Sequence, residues 1–471
     1  MARKVGTVAL RQPVVDRGNV DIAPLVSALP ASAVIVDPDK MASYRWDRAN
    51  DPDAGYPLAV VRVESAEDVQ TAVRFAVKHH LPVITRGAGS GLSGGSSAVE
   101  GCIMVSTERM RAIQIDRTTR TAVVEPGALN AEVKAAAAEH GLWYPPDPSS
   151  FEICSIGGNV ATNAGGLCCV KYGVTSDYVL GMTVVLADGR IVKLGGPRLK
   201  DVAGLSLTKL FVGSEGTLGI ITQIILRLIP AQRPASTLVA SFRALDDATA
   251  TILQITEAMR PSMLEFMDKA TINAVEDVSR MDLDRQAEAM LVVQSDEPAG
   301  YAAEEIDRIT EICARNNASD VFSTDDPEEG NAFVTARRMA IPAVERKGSL
   351  LLEDVGVPVP ELGALVRGIA EIAAGHGLTI AVIAHAGDGN THPLLVFDPM
   401  DADEARRAQL AYGEVMRLAI SLGGTITGEH GVGRLKKPWL PECLGDDALG
   451  LNHVLKAALD PDGVLNPGVG F

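Results

Sequence analysis

The chain has 471 residues, 46% of them hydrophobic, more than one ordinary core uses, which points to two or three domains. Its 43 basic and 60 acidic residues leave a net charge of −17, so nucleic acid, which needs a basic face, is excluded as a partner. The 6 cysteines form no CxxC pair, which argues against iron–sulfur clusters and thiolate zinc sites and suits a reducing compartment.

The opening MARKVGTVALRQPVV is too polar for a signal peptide, and no apolar run approaches the length of a membrane span. The expected location is cytoplasmic, with peripheral attachment to a membrane left open. Residues 1–34 read as a lead-in with one short helix at 22–29. A strand follows at 58–63. Ser65 then caps a helix that runs to His79, with Asp68 three residues on as an acidic capping-box variant. The strand at 82–85 delivers a glycine-rich loop, RGAGSGLSGG, at 86–95. This loop does not follow the first strand, so the order does not suit a Rossmann fingerprint. Strands at 102–106, 121–124, 182–186 and 219–228 come next, with short turns that favour antiparallel pairing. Pro230 to Pro234 interrupts both periodicities and marks a boundary. Beyond it, strands at 236–242 and 289–294 and helices at 246–259 and 302–316 suggest a ferredoxin-like cap. From 402 to 465 the pattern is mostly helical. The expected domains are 1–34, 35–231, 232–401 and 402–471.

A second glycine-rich run, PPDPSSFEICSIGGNVATNAGG, occupies 145–166. It cannot form a core of its own. Glycine admits positive φ and lets amide N–H groups approach a diphosphate closely. One such loop alone is as well explained by a tight turn. Two in one region imply an extended cofactor held along its length.

These loops, with KYGVTSDYV, LFVGSEGTLGIIT, AHAGDGNTHP, GEHGVG and LDPDGVLNPG, resemble the glycolate oxidase/D-lactate dehydrogenase branch of FAD-linked 2-hydroxy-acid dehydrogenases, from about Tyr44 to the C-terminus. The resemblance implies an α+β fold. Its parts would be a two-part FAD-binding domain of the vanillyl-alcohol oxidase type, a ferredoxin-like cap and a C-terminal helical segment that completes the FAD site. It implies FAD contacts from Pro82, Arg86, Gly87, Ala88, Gly89, Ser90, Gly91, Ser93 and Gly94 in the first loop. The second loop would contribute Pro146, Asp147, Ser150, Cys154, Gly157, Gly158, Asn159, Ala161, Thr162 and Gly165. Tyr172, Gly173, Glu215, Gly216, Gly219, Ile220 and Asn466 complete the expected set. For Glu215 and its neighbours a hairpin turn is the competing reading; for Asn466 it is an Asn-Pro turn. Relatives with covalent FAD carry His where this chain has Ser90, so FAD is expected to be non-covalent. A thioether to Cys154 is the weaker alternative.

Two histidines carry a sharper signal. If the turn 387–390 closes a hairpin between strands at 379–384 and 393–397, His385 opposes His392 on one face, with Cβ atoms roughly 5 Å apart. Such a pair can chelate one metal ion. Glu429 and His430, beside glycines that permit an irregular backbone, add a carboxylate and a third imidazole. Two His and one carboxylate suit Zn²⁺, with Mn²⁺ as an alternative. By resemblance, His385, His392 and Glu429 are the ligands, and His430 is the base. Arg337 binds the substrate carboxylate, with Arg338 as the alternative register, and Asn390 joins the catalytic set. A solvated helical arginine is the competing reading for Arg337. Where relatives specific for 2-hydroxyglutarate carry a polar residue and a lysine, this chain has Ile341 and Leu352.

The activity so implied is metal-assisted oxidation of a small D-2-hydroxy acid, of the D-lactate or glycolate type, to its 2-oxo acid, with hydride passing to flavin N5. The alternatives are D-2-hydroxyglutarate as substrate, a non-redox enzyme resembling alkyl-dihydroxyacetone-phosphate synthase, and a non-catalytic flavoprotein subunit. The electron acceptor is open among a quinone, an electron-transfer protein and an iron–sulfur partner subunit. A homodimer is also compatible with the sequence.

Overall fold

The structure, a computed structural model, describes residues 20–49, 51–298 and 300–470. Residues 1–19 of the expected lead-in lie outside this range. Two compact units divide the chain. The first takes the described residues up to Ala164, then Val174–Ala231 and the C-terminal stretch from His430. The second takes Gly165–Gly173 and Gln232–Glu429.

In the first unit, four strands lie in the order Val34–Ile35, Ala59–Arg62, Ile103–Ser106, Val83–Arg86. The helix Ala66–Lys78 links the second of these to Val83–Arg86. Its N-cap Ser65 Oγ accepts from Asp68 N at 3.1 Å, and Asp68 Oδ2 accepts from Glu64 N at 2.9 Å, one residue short of a true capping box. The helix buries Val69, Ala72, Val73 and Ala76, at three- and four-residue spacing. Each buried valine contributes about 1.5–3 kcal/mol. The antiparallel expectation fails for 102–106. Ile103–Ser106 runs parallel to both Ala59–Arg62 and Val83–Arg86. Parallel neighbours need long connections, and the crossover helix and the glycine loop are such connections. The expectation holds for the second sheet. Ile113–Asp116, Thr121–Val124, Ile220–Arg227, Val179–Val185 and Ile191–Gly195 pair in that order, all antiparallel.

The C-terminal tail is stitched onto this unit. Val83 N donates to Val464 O and Asn466 N to Val83 O, both at 2.8 Å. The buried ammonium of Lys456 donates to Thr217 O and Leu465 O at 2.7 Å and to Asp460 Oδ2 at 2.5 Å. Three acceptors compensate the loss of water around this charge.

The second unit is built on an eight-stranded sheet. Its order is Ala318–Thr324, Ser236–Phe242, Ala289–Ser295, Met263–Asp268, Thr379–His385, Asn390–Phe397, Ser349–Leu352, and Val355–Gly356 also pairs with Asn390–Phe397. The strands from 236 to 324 follow the ferredoxin-like order 4-1-3-2, with helices Leu245–Ala258 and Tyr301–Arg315 as the two crossovers. The hairpin 379–397 then extends this sheet. The helix Ala402–Ser421 packs on Leu362–His376 and stays in the second unit, so the chain returns to the first unit at His430 rather than at 402.

Candidate functional site

In the first unit the two glycine-rich loops are held together by small side chains. Ser155 Oγ accepts from Ala88 N and from Gly158 N, each at 3.3 Å. A Cβ on Gly87 would lie 2.4 Å from that oxygen, and one on Gly157 would lie 2.6 Å from Pro126 Cβ. Only glycine allows these approaches. Gly89, at φ +70°, leaves the space that the Arg86 guanidinium fills. Arg86 Nη1 is buried with no acceptor, so this loop presents a cationic donor free for an anionic group such as a diphosphate. That orphaned donor, in a cradle a Cβ would block, fits the FAD expected here.

Several other expected contacts have structural work of their own. Glu215, at φ +51°, accepts from Val432 N at 3.1 Å and Gly433 N at 2.9 Å, and so pins the GEHGVG segment. Burial pushes its carboxyl up to about 7, although both amides pull the other way. Asn466 Nδ2 donates to Gly95 O at 2.9 Å and Glu215 O at 2.6 Å, joining the first loop to the turn at 215. Its Oδ1 stays buried without a partner. Asn130 Nδ2 donates to Pro146 O at 3.2 Å, and Asn159 Nδ2 to Cys154 Sγ at 3.2 Å. Burial raises the Cys154 thiol, which keeps it a weak nucleophile. Ser93 Oγ donates to Gly431 O at 2.8 Å and His430 O at 3.3 Å, fixing the backbone at the candidate base.

Gly165, Tyr172 and Gly173, expected beside the flavin, fall in the second unit. There Tyr172 Oη donates to Asp296 Oδ2 at 2.5 Å, and Lys171 Nζ to Asp296 Oδ1 at 2.6 Å. A Cβ on Gly165 would lie 2.6 Å from Glu429 Oε2, so this glycine makes room for the carboxylate.

The histidine hairpin has a different register from the expected one. Ala384 opposes Thr391, His385 opposes Asn390, and His392 opposes Ile383. The turn is 386–389 rather than 387–390, because Gly389 takes the φ +84° position that admits the return strand at Asn390. His385 and His392 are therefore diagonal neighbours rather than opposed ones. A two-residue offset keeps the same face, and the ring centroids lie 5.2 Å apart. Both rings turn Nε2 toward one oxygen: Glu429 Oε1 is 3.3 Å from His385 Nε2 and 3.2 Å from His392 Nε2.

Behind each ring stands a carboxylate. His385 Nδ1 is 2.7 Å from Glu265 Oε1, and His392 Nδ1 is 3.7 Å from Asp354 Oδ1. Asp354 Oδ2 accepts from Thr427 Oγ1 at 2.7 Å and from Gly428 N and Glu429 N at 3.1 Å. Asp354 thus fixes the backbone of Glu429 through one oxygen and sets its other oxygen near the His392 ring. Burial opposes protonation of His385, but Glu265 and Glu429 outweigh it and hold its pKa well above the usual histidine range. A divalent cation bound here would displace the ring proton, since ligands bind metal in their deprotonated form. The donor set, two imidazoles and a carboxylate oxygen backed by further carboxylates, is of a kind that could hold a divalent ion.

Arg337, at the end of helix Pro327–Arg338, is 1% exposed, and one terminal nitrogen lies 2.7 Å from Glu265 Oε2. Its Nε is buried with no acceptor. Asn390 Oδ1 is likewise buried and unpartnered, packed where a Cβ on Gly428 would come within 2.1 Å. Ile341 and Leu352 both pack, partly buried, against the apolar cluster that contains Ala336, Ala340 and Leu394. Sequence reasoning missed Glu265 and Asp354. The available signal was a charged residue inside an apolar run, as in MLEFM at 263–267 and LLLEDVGV at 350–357.

Comparison with known proteins identifies the family. Residues 231–469 match the family model for FAD linked oxidases, C-terminal domain, and residues 57–195 match an FAD binding domain. The chain belongs to the FAD-linked oxidases and is a flavoprotein oxidoreductase. Glycolate oxidase subunit GlcD of Bacillus subtilis (strain 168) is 41% identical, over 88% of this chain and 89% of that protein. D-lactate dehydrogenase of Archaeoglobus fulgidus is 35% identical, over 90% of this chain and 95% of that protein. Among solved structures, p-cresol methylhydroxylase with substrate bound superposes with a TM-score of 0.79 at 17% identity, covering 94% of this chain and 95% of its own, which places the fold in the vanillyl-alcohol oxidase type.

Proposed function

We propose that the chain oxidises a small D-2-hydroxy monocarboxylic acid, of the D-lactate or glycolate kind, to its 2-oxo acid. The observation that carries this reading is the convergence of His385, His392 and Glu429 on one point, with Arg337 held behind it by Glu265. The names of the relatives, glycolate oxidase and D-lactate dehydrogenase, point to the same class of substrate. Arg337 receives the substrate carboxylate; its buried Nε has a free donor for that task. His430, next in the chain after Glu429, takes the hydroxyl proton. Asn390 Oδ1 offers a further buried acceptor at this site. His385, His392 and Glu429 would hold a divalent ion, which when bound would supply Lewis acidity to lower the pKa of the substrate hydroxyl. Bound FAD, held without a covalent link, supplies the acceptor for the electron pair that leaves Cα.

The apolar surroundings of Ile341 and Leu352 favour substrates with a single carboxylate. A second carboxylate brought there without a hydrogen-bonding partner costs about 1–3 kcal/mol or more. Anaerobic mixing with a panel of 2-hydroxy acids tests the whole reading. D-lactate or glycolate should bleach the flavin at a higher kcat/KM than D-2-hydroxyglutarate, and L-lactate should be poor. A clear preference for D-2-hydroxyglutarate would overturn the substrate class, and a flavin bleached by none of them would overturn the reaction.

A further inference from the structure

Glu265 is neither a ligand of the proposed metal nor part of the proposed substrate fork, yet its two oxygens touch both. We propose that Glu265 is a positioning residue that couples carboxylate binding at Arg337 to metal holding at His385. The proposal rests on the reading of Arg337 and the histidine cluster given above.

Its place in the fold is fixed by register. Glu265 sits mid-strand in Met263–Asp268 and lies directly across from His385, so the pair meets without a long side chain having to reach. Glu265 is 0% exposed. A carboxylate in that position is stable only when compensated, and here the compensation comes from two groups with separate tasks. Oε1 lies 2.7 Å from His385 Nδ1, which fixes Nδ1 as the protonated nitrogen and leaves the Nε2 lone pair facing the ligand position. Oε2 lies 2.7 Å from Arg337 Nη2, an ion pair rather than a directed hydrogen bond, while Nε stays unpartnered. A substrate carboxylate arriving at Arg337 competes with Glu265 for that cation. Glu265, then less neutralised by the guanidinium, polarises the Nδ1–H of His385 more strongly and so strengthens Nε2 as a ligand. Acid binding and metal binding should therefore reinforce each other, by the same factor in both directions.

The test uses purified FAD-loaded protein. Zn²⁺ affinity is measured by chelator competition, and KM and kcat for D-lactate are measured separately at saturating Zn²⁺. Glu265→Gln keeps the shape and removes the charge. It should weaken Zn²⁺ binding about 10–100-fold, the usual loss for an outer-shell partner, and raise KM as well. Glu265→Asp keeps the charge but is one methylene too short to span both partners. It should restore one of the two properties and not the other, a split that a merely structural role would not produce. It also serves if the Gln variant fails to fold. Folded variants whose Zn²⁺ affinity and KM both stay within about two-fold of wild type would overturn the proposal, given the larger loss expected of such a partner. A wild-type protein that takes up no divalent ion would instead overturn the metal reading, and that result appears before any variant is made.

Discussion

At His430, replacement by Asn should lower the rate of flavin reduction about 10²–10⁴-fold, the usual contribution of a positioned base, and should change substrate affinity much less. Stopped-flow absorbance reads this directly, and near-normal reduction would move the base role to another group. Glu215 gives a pH prediction. Burial raises its folded-state pKa to about 7, above the ordinary value of 4.5, so the folded form favours the protonated carboxyl. The associated stability is fully present below about pH 4.5 and is lost as pH rises through about 7. The residue keeps part of its surface exposed, so the loss should be modest, on the order of 1–3 kcal/mol. Denaturant titrations of the apoprotein at pH 5 and pH 8 should show that decline, and Glu215→Gln should flatten it. An equal decline in the variant would assign it to other groups.

The hairpin Thr379–His385/Asn390–Phe397 shows what can and cannot be read from sequence at the level of an element. The two histidines on one face, the glycine turn and the alternating strands were all legible, because periodicity is local. The register was not: the strand boundary beside Ala386 depends on Gly389, whose Cβ would lie 2.1 Å from Val357 O. The carboxylates behind the rings were illegible for a similar reason. Glu265 and Asp354 meet the hairpin through pairings with distant strands and loops, and the sequence around them shows just one acid, or two adjacent ones, in an apolar run. The parallel strand Ile103–Ser106 escaped too, because pairing direction depends on where a long connection returns. Gly389→Ala tests the turn. At φ +84° and with no room for a methyl group, it should destabilise the protein by more than about 1 kcal/mol and weaken metal binding with it. Unchanged Zn²⁺ affinity in this variant would mean that the register does not depend on the turn.

Across the whole molecule, the two cofactors are proposed to fall on different units. The glycine loops up to Ala164, Arg86 and Asn466 belong to the first unit, whereas His385, His392 and Glu429 belong to the second. Each unit has its own buried apolar clusters. A chain built this way need not unfold in one transition. A ligand that binds only the folded state stabilises it by RT ln(1 + [L]/Kd), about 2.7 kcal/mol at a hundred times Kd, and the gain goes to the cooperative unit that holds the ligand. Removing the metal with a chelator should therefore lower the melting of the second unit while the first keeps its flavin. His385→Ala should do the same without a chelator, and should remove the bound ion and most turnover but leave FAD in place. Flavin fluorescence reports the first unit during heating. Intrinsic tryptophan fluorescence is no guide to the second, because Trp46, Trp143 and Trp439 all lie in the first or at its return. Amide hydrogen exchange resolved by segment is the better probe, with the strands Met263–Asp268 and Asn390–Phe397 compared against Val83–Arg86 and Ile220–Arg227. Chelation should speed exchange in the first pair and leave the second pair unchanged. Equal acceleration in all four would show that the units unfold as one block, and no acceleration anywhere would show that the histidine cluster holds no ion that matters to the fold.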